Sequence, residues 1–236
     1  MESLLQLTDV RFAWPGEERD TLDIADLRLA PAERILVRGP SGCGKSTLLS
    51  LAAGVLLAPS GTVRFMEEDW KALRTGARDQ RRVDHVGYIF QQFNLLPYLS
   101  VIDNVLMPCR FSPLRARRAS EHGSPERAAQ VLLLGLGLSA ETWSKNASAL
   151  SVGQQQRVAA ARALVGHPEI VFADEPTSAL DEGRRDAFMT LLMERCAEAS
   201  SALLFVSHDV RLASHFARVI ELPTVNRAAS PVGGEA

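Results

Sequence analysis

Apolar and polar positions change rhythm several times along this chain, and each rhythm predicts an element. Leu5 to Phe12 alternates with a period of two, which reads as an edge strand. Trp14-Pro15-Gly16 follows as a turn. Arg34 to Arg38, enclosing Ile35, Leu36 and Val37, reads as a short buried strand running into a glycine-rich loop, with a helix from Ser46 to Ala53 behind it. Gly54 and Pro59-Ser60-Gly61 end that helix. Thr62 to Met66 and Val86 to Phe90 are further strands. Ile170 to Ala173 and Leu203 to Val206 are unbroken apolar runs, as expected of strands buried on both faces of a parallel sheet, and Asp186 to Glu198 between them is helical.

Between Gln91 and about Ala160 the rhythm is different. Leucine- and alanine-rich helical patterns dominate, interrupted by Pro97, Pro108, Pro113 and Pro125. The segment 92–160 therefore reads as a helical subdomain inserted into an α/β core formed by residues 5–91 and 161–222. Residues 223–236 are small and polar and read as a flexible tail. No internal repeat is visible.

Bulk properties narrow the picture by exclusion. With 236 residues, 46% hydrophobic and 23% charged, the chain can bury a substantial core. Its net charge of −2 gives no general attraction to nucleic acid. The dense basic run Arg115-Ala116-Arg117-Arg118 reads as a solvated loop or helix face. Cys43, Cys109 and Cys196 are too few and too far apart for a disulfide framework or a zinc pattern, which suits a reducing cytosol. The start of the chain has no signal-peptide pattern, and no apolar stretch reaches the ~20 residues of a spanning helix. Any work at a membrane needs spans from another chain.

The candidate chemistry begins at Gly39-Pro40-Ser41-Gly42-Cys43-Gly44-Lys45-Ser46, with Thr47 next in the helix. This fits the G-x-x-x-x-G-K-[ST] phosphate loop, between a strand and a helix as that loop requires. Glycines let the backbone curl around a phosphate, and the helix N-terminus adds partial positive charge. Lys45 can reach the β- and γ-phosphates, and the Ser46 hydroxyl can ligate Mg²⁺. Cys43 reads as a small filler whose backbone matters.

A second constellation closes the apolar strand Ile170-Val171-Phe172-Ala173 with Asp174 and Glu175. Neighbouring side chains on a strand point to opposite sides, so the two acids serve different purposes: one holds the magnesium shell, the other reaches an attacking water. A third is Leu150-Ser151-Val152-Gly153-Gln154 before the helical run Gln155 to Leu164. Ser151 can cap that helix and Gly153 can admit a ligand to its amides. His85, His122, His167 and His215 lack partners at metal spacing, whereas His208 ends the strand Leu203 to Val206 at the same sheet edge as Glu175.

These motifs, in this order, resemble the ATP-binding cassette family. Leu150 to Gln154 followed by Gln155-Gln156-Arg157-Val158 looks like its signature, Gln91 like its Q-loop glutamine, Ser178-Ala179-Leu180-Asp181 like its D-loop, and Ser207-His208-Asp209 like its switch histidine. Trp14 stands where the family stacks an aromatic on adenine. The resemblance covers about Leu5 to Leu222. It implies an α/β P-loop NTPase: a RecA-like core with a parallel sheet, an inserted helical subdomain and an N-terminal antiparallel β region. It also implies ATP and Mg²⁺ as ligands, with Lys45, Gln91, Glu175 and His208 catalytic. Ser46, Gln91 and Asp174 would serve the metal, Asp174 through water. Ser151, Gly153 and Gln154 would clamp a nucleotide held by a second copy. The family further implies a homodimer, an integral membrane permease partner and a place on the inner face of the plasma membrane. Tyr88 to Pro97 and Val101 to Val105 look most like the lipoprotein-release and macrolide-export branch.

The sequence departs from the family pattern in three places. Val152 replaces a signature glycine, so it either sits at negative φ or strains the loop. Arg38 stands where an apolar residue is commoner, and Leu222-Pro223 lacks the glycine turn and last strand of the family. A cassette ATPase acting on nucleic acid or the ribosome is the rival reading. The short spacing from Lys45 to Ser151 leaves no room for the long coiled coil of the DNA-repair type, and the chain carries one cassette where the translation factors carry two. Leu95-Leu96-Pro97-Tyr98-Leu99 reads either as core or as part of a groove for a membrane partner.

Overall fold

The computed structural model describes residues 3–228 except His122 and Ala179. Two sheets and a helical layer follow from the patterns above. β1 (Leu5–Phe12), β2 (Leu22–Leu29), β4 (Ser60–Phe65) and β5 (Glu68–Asp69) form an antiparallel sheet in the order β2-β1-β4-β5. β3 (Arg34–Arg38), β6 (Val86–Ile89), β7 (Ile170–Asp174), β8 (Ala202–Ser207) and β9 (Arg218–Glu221) form a parallel sheet in the order β6-β7-β8-β3-β9.

The alternation of side chains assigns each parallel strand to two cores at once. Ile35, Val37, Ile170, Phe172, Ala202, Leu204 and Val206 face the antiparallel sheet and α1 (Lys45–Ala52). Leu36, Val171, Ala173, Leu203 and Phe205 face a helical layer. That layer is built from α3 (Val101–Phe111), α5 (Pro125–Gly135), α6 (Val152–Leu164) and α7 (Glu182–Glu198). α2 (Thr75–His85) leads into β6, and α4 (Pro113–Ala119) joins α3 to α5. The expected boundary near residue 160 falls inside α6, whose C-terminal half packs so close to β6 that a Cβ at Gly87 would lie 2.3 Å from the Ala163 carbonyl oxygen.

Three expectations need correction. β1 is not an edge strand: it pairs with β2 on one side and β4 on the other, with a bulge at Asp9 (φ 48°). Its alternation reflects one buried face, which an interior antiparallel strand shares with an edge strand.

The basic run is not a solvated face throughout. Arg115 is buried. Its guanidinium donates to the main-chain oxygens of Val165 (2.8 Å), Ala163 (2.7 Å) and Val86 (3.3 Å). It thus satisfies carbonyls at the negative end of α6, a favourable place for a cation. Burial pulls its pKa down to about 10. Arg118 is paired with Glu169 at 2.7 Å.

The flexible tail does not begin at residue 223. α8 (Leu222–Val225) follows β9 directly, and Asn226 behind it is buried. Residues 229–236 lie outside the described part. Asn226 forms an antiparallel bridge with Ile24 of β2, so the chain here runs back along the antiparallel sheet. Arg38 finds its reason in the same region. It lies opposite Glu221 across β3 and β9 and donates to its carboxylate at 2.7 Å, closing that sheet edge with an ion pair.

Candidate functional site

The parallel strands end on one side of the sheet, where open α/β sheets bind ligands. There the phosphate loop leaves β3 and enters α1. Gly42 and Gly44 hold φ of 80° and 100°, values that L side chains avoid. At Gly44 a Cβ would also lie 2.9 Å from a Leu22 methyl and 3.2 Å from the Thr21 carbonyl oxygen, so the loop sits directly against β2. Lys45 is buried. Its ammonium donates to the main-chain oxygens of Gly39 and Pro40, both at 2.9 Å, and lies 3.2 Å from Glu175 Oε1.

The two acids at the end of β7 have different partners. Asp174 continues the parity of Ile170 and Phe172 toward α1, and Ser46 Oγ donates to its Oδ1 at 3.2 Å. Burial pushes the Asp174 carboxyl up in pKa, against the Ser46 hydrogen bond. Such burial disfavours the anion unless a cation stands beside it. A serine hydroxyl and a carboxylate together are hard oxygen donors, which fits Mg²⁺. Glu175 turns away with φ 42°, while its amide donates to Val206 at 3.1 Å. Its carboxylate bridges Lys45 on one oxygen and His208 Nδ1, at 2.7 Å, on the other.

Other residues hold this arrangement in place. Gln156 of α6 is buried and donates to the Pro176 carbonyl at 2.9 Å, tying the signature helix to the turn behind Glu175. Asp209, next to His208, accepts from Arg185 of α7 at 2.8 Å and from Arg211. The Arg211 hydrogen bonds, with Arg185 behind them, hold its carboxyl down at about 2. Sequence reasoning had no signal for the roles of Gln156 or Arg185, because each acts through a contact distant in the chain.

A cavity of ≈630 Å³ opens over the loop. It is lined by Ser41 to Thr47, Glu175, Trp14, Glu17, Arg19 to Thr21, Asn226 and Ala228. Trp14 is half exposed, with its ring edge-on to Phe12 at 5.3 Å, and the turn after it closes through a Glu17 amide to Trp14 carbonyl bond of 3.0 Å. Trp14 and the phosphate loop therefore share one cavity although they are far apart in sequence. Gln91 is exposed and does not line it, although the pairing of Ile89 with Ala173 places Gln91 level with Glu175 at the same sheet edge.

The signature stands elsewhere. Ser151, Val152, Gly153 and Gln154 line a second cavity of ≈570 Å³ together with Gln156, Arg157, Leu180, Arg184 and Phe188. The two cavities have no lining residue in common. Ser151 caps α6 in a reciprocal box: its Oγ accepts from the Gln154 amide at 3.4 Å, and Gln154 Oε1 accepts from the Ser151 amide at 3.0 Å. Val152 is the first helical residue and is not among those with positive φ, so the valine carries no backbone strain. Nothing lies within 4 Å of a Cβ built on Gly153, which leaves the helix end open. Of the D-loop, Asp181 caps α7 by accepting from the Arg184 amide at 3.0 Å, and Ala179 lies outside the described residues.

Comparison with known proteins agrees with this geometry. The ABC transporter family model matches residues 22–178. The chain is 37% identical to the lipoprotein-releasing system ATP-binding protein LolD of Legionella pneumophila over 203 residues, 86% of each chain. It is 37% identical to the macrolide export ATP-binding/permease protein MacB of Shigella flexneri, over 94% of this chain and 33% of that one. Of two Mycobacterium tuberculosis relatives it spans 57% of the length. A dimeric ATP-binding cassette in a post-hydrolysis state, bound to ADP and Pi, superposes with a TM-score of 0.81 at 30% identity, covering 98% of this chain and 97% of that one. The chain belongs to the ABC transporter family.

Proposed function

We propose that this chain binds Mg-ATP between two copies of itself and hydrolyses it to drive a separate membrane permease, in export or in extraction from the membrane. The observation that carries the chemistry is Glu175, held between Lys45 and His208 beside the phosphate loop. Catalysis of phosphoryl transfer is mostly positioning and charge neutralisation, and each part has a residue here. The backbone from Gly39 to Thr47 cradles the phosphates, and Lys45 neutralises charge on the transferring group. Ser46 and Asp174 would hold Mg²⁺, Asp174 through a water. When bound, the metal supplies charge neutralisation on the β- and γ-phosphates. Glu175 orients and polarises the attacking water, His208 contacts the γ-phosphate, and Gln91, level with Glu175 at the sheet edge but outside the cavity, would have to turn inward to serve the metal. Trp14 stacks on the adenine, for which a flat aromatic face needs no base-specific hydrogen bond.

Two unconnected cavities support the dimer. Ser151, Gly153 and Gln154 lie outside their own phosphate-loop cavity, so they complete the site of a second copy. A permease partner is supported by MacB, whose name joins an ATP-binding part to a permease in one chain. It is also supported by an apolar groove of ≈330 Å³ bounded by Val55, Tyr88, Phe90, Met107 and Phe111. Phe111 and Val55 are more than half exposed there, an apolar surface suited to a helix from a membrane protein. Leu95 to Leu99 do not line it. Among the described residues no helix is long and apolar enough to cross a membrane, and the chain would reach the inner face of the plasma membrane through that partner.

The test is Glu175→Gln. The variant keeps ATP affinity within a few-fold and loses roughly 10²–10⁴-fold in hydrolysis, the worth of a positioned acid–base group. Near-normal turnover would remove Glu175 from its role.

A further inference from the structure

The segment behind β9 does more than end the sheet. Pro223 lies over the start of the phosphate loop: its Cδ is 3.1 Å from where a Cβ on Gly39 would be. Gly39 is also the residue whose carbonyl accepts from Lys45. Three residues on, the buried Asn226 side chain works in two directions. Its Oδ1 accepts from the Asp23 amide at 2.8 Å and from the Ala228 amide at 3.2 Å, and its Nδ2 donates to the Thr21 carbonyl at 3.0 Å. Arg227 adds a main-chain bond to Asp23 of 2.8 Å and an ion pair to its carboxylate of 2.6 Å. Thr21 ends the loop that begins at Trp14, and its carbonyl faces Gly44. Asn226 and Ala228 themselves line the nucleotide cavity.

We infer that residues 222–228 form a strap and that Asn226 is a positioning residue for ATP. It fixes the Trp14–Thr21 wall of the cavity at a set distance from the phosphate loop. A buried amide with both ends bonded to the main chain of one neighbouring segment specifies that segment's register; an aliphatic side chain of the same size would leave the Thr21 carbonyl and Asp23 amide unpaired. No hydrogen bond or ion pair joins the strap to Glu175, Asp174 or His208 among the described residues, so it acts on the fit of the nucleotide and not on the chemical step. The inference rests on ATP occupying this cavity, and not on which part of the nucleotide meets Trp14.

Three variants of the full chain test it. Asn226→Ala should raise the Kd and KM for Mg-ATP about 3- to 10-fold, while kcat at saturating ATP stays within about two-fold. Asn226→Asp keeps the acceptor toward Asp23 and Ala228 but sets a carboxylate against the Thr21 carbonyl on the wall of the nucleotide cavity, so it should raise the Kd at least as much as Asn226→Ala; it also carries the test if the alanine variant does not fold. Leu133→Ala, in the core of α5 far from the cavity, lowers thermal stability and should leave the Kd unchanged. Binding and strap order are linked reciprocally, so Mg-ATP should slow hydrogen exchange of the peptide 222–228 in the wild type. An unchanged Kd in both Asn226 variants, a fall in kcat with KM unmoved, or exchange of 222–228 indifferent to ATP would each overturn the inference. Failure of wild-type protein to bind ATP would instead overturn the reading of the cavity itself.

Discussion

At the scale of single residues, Lys45 is the most exposed to a decisive experiment. Its ammonium offers three donors, and the structure directs them at Gly39, Pro40 and Glu175. In the proposed mechanism a phosphate entering the loop would compete with Glu175 for this charge, coupling nucleotide binding to the release of Glu175 for water. Lys45→Ala should therefore weaken ATP binding itself by at least about 10-fold, as expected when a charge-assisted hydrogen bond of roughly 1.5–3 kcal/mol is removed. Titration of a fluorescent ATP analogue measures it, and an unchanged Kd would deny Lys45 its phosphate role. Val152→Gly makes the opposite kind of prediction. With the valine helical and half exposed, glycine relieves no strain; ATPase activity should not rise, and thermal denaturation should show a loss within about 1 kcal/mol. The phosphate loop could be read from sequence because all of its residues are neighbours in the chain. The state of Val152 could not, because β-branched side chains fit a helix start as well as a strand, and only the Ser151–Gln154 box decides between them.

At the scale of elements, strands buried on both faces were legible and helices held by ion pairs were not. β7 and β8 announce themselves as unbroken apolar runs, while α2, whose eleven residues include none that is buried and only Ala77 and Val83 as apolar ones, has too little apolar content to be seen. α2 is instead held at its end by His85, which meets Glu169 at 2.8 Å, and Glu169 also binds Arg118 of α4. One carboxylate thus links α2, α4 and the turn before β7. Burial alone would raise the Glu169 pKa, but the His85 and Arg118 hydrogen bonds outweigh it and bring it to about 2. A carboxyl lowered on folding stabilises the protein fully above its unfolded pKa, ~4.3, and that contribution disappears as pH falls toward 2. Glu169→Gln should cost on the order of 2 kcal/mol at pH 7. The deficit against wild type should shrink steadily between about pH 4.5 and pH 2, as followed by urea denaturation across that range. A deficit independent of pH there would mean that packing, and not the charge of Glu169, joins these helices.

At the scale of the whole molecule, the separation of the two cavities decides how the protein works. α6 presents Ser151, Val152 and Gly153 at one end of the helical layer, while Lys45 and Glu175 stand at the sheet edge. In the proposed assembly, a second copy turned head-to-tail would bring its signature onto this phosphate loop, which a chain's own signature does not line. The related cassette bound to ADP and Pi is dimeric, which fits this geometry. Bound ATP would then be part of the interface, and the closed dimer would be favoured by the difference between ATP affinity in the closed and open states. Isolated protein should be largely monomeric without nucleotide. Glu175→Gln, which keeps ATP intact, should shift to a dimer at saturating Mg-ATP, and wild-type ATPase rate per subunit should rise with protein concentration. Adding Ser151→Arg to Glu175→Gln places bulk and charge at the open end of α6. It should abolish the dimer while leaving ATP affinity of the monomer intact, since Ser151 does not line the phosphate-loop cavity. Analytical ultracentrifugation with and without nucleotide reads both effects. A Glu175→Gln protein that binds ATP yet stays monomeric, or a double variant that still dimerises, would show that the signature of one copy does not complete the site of the other.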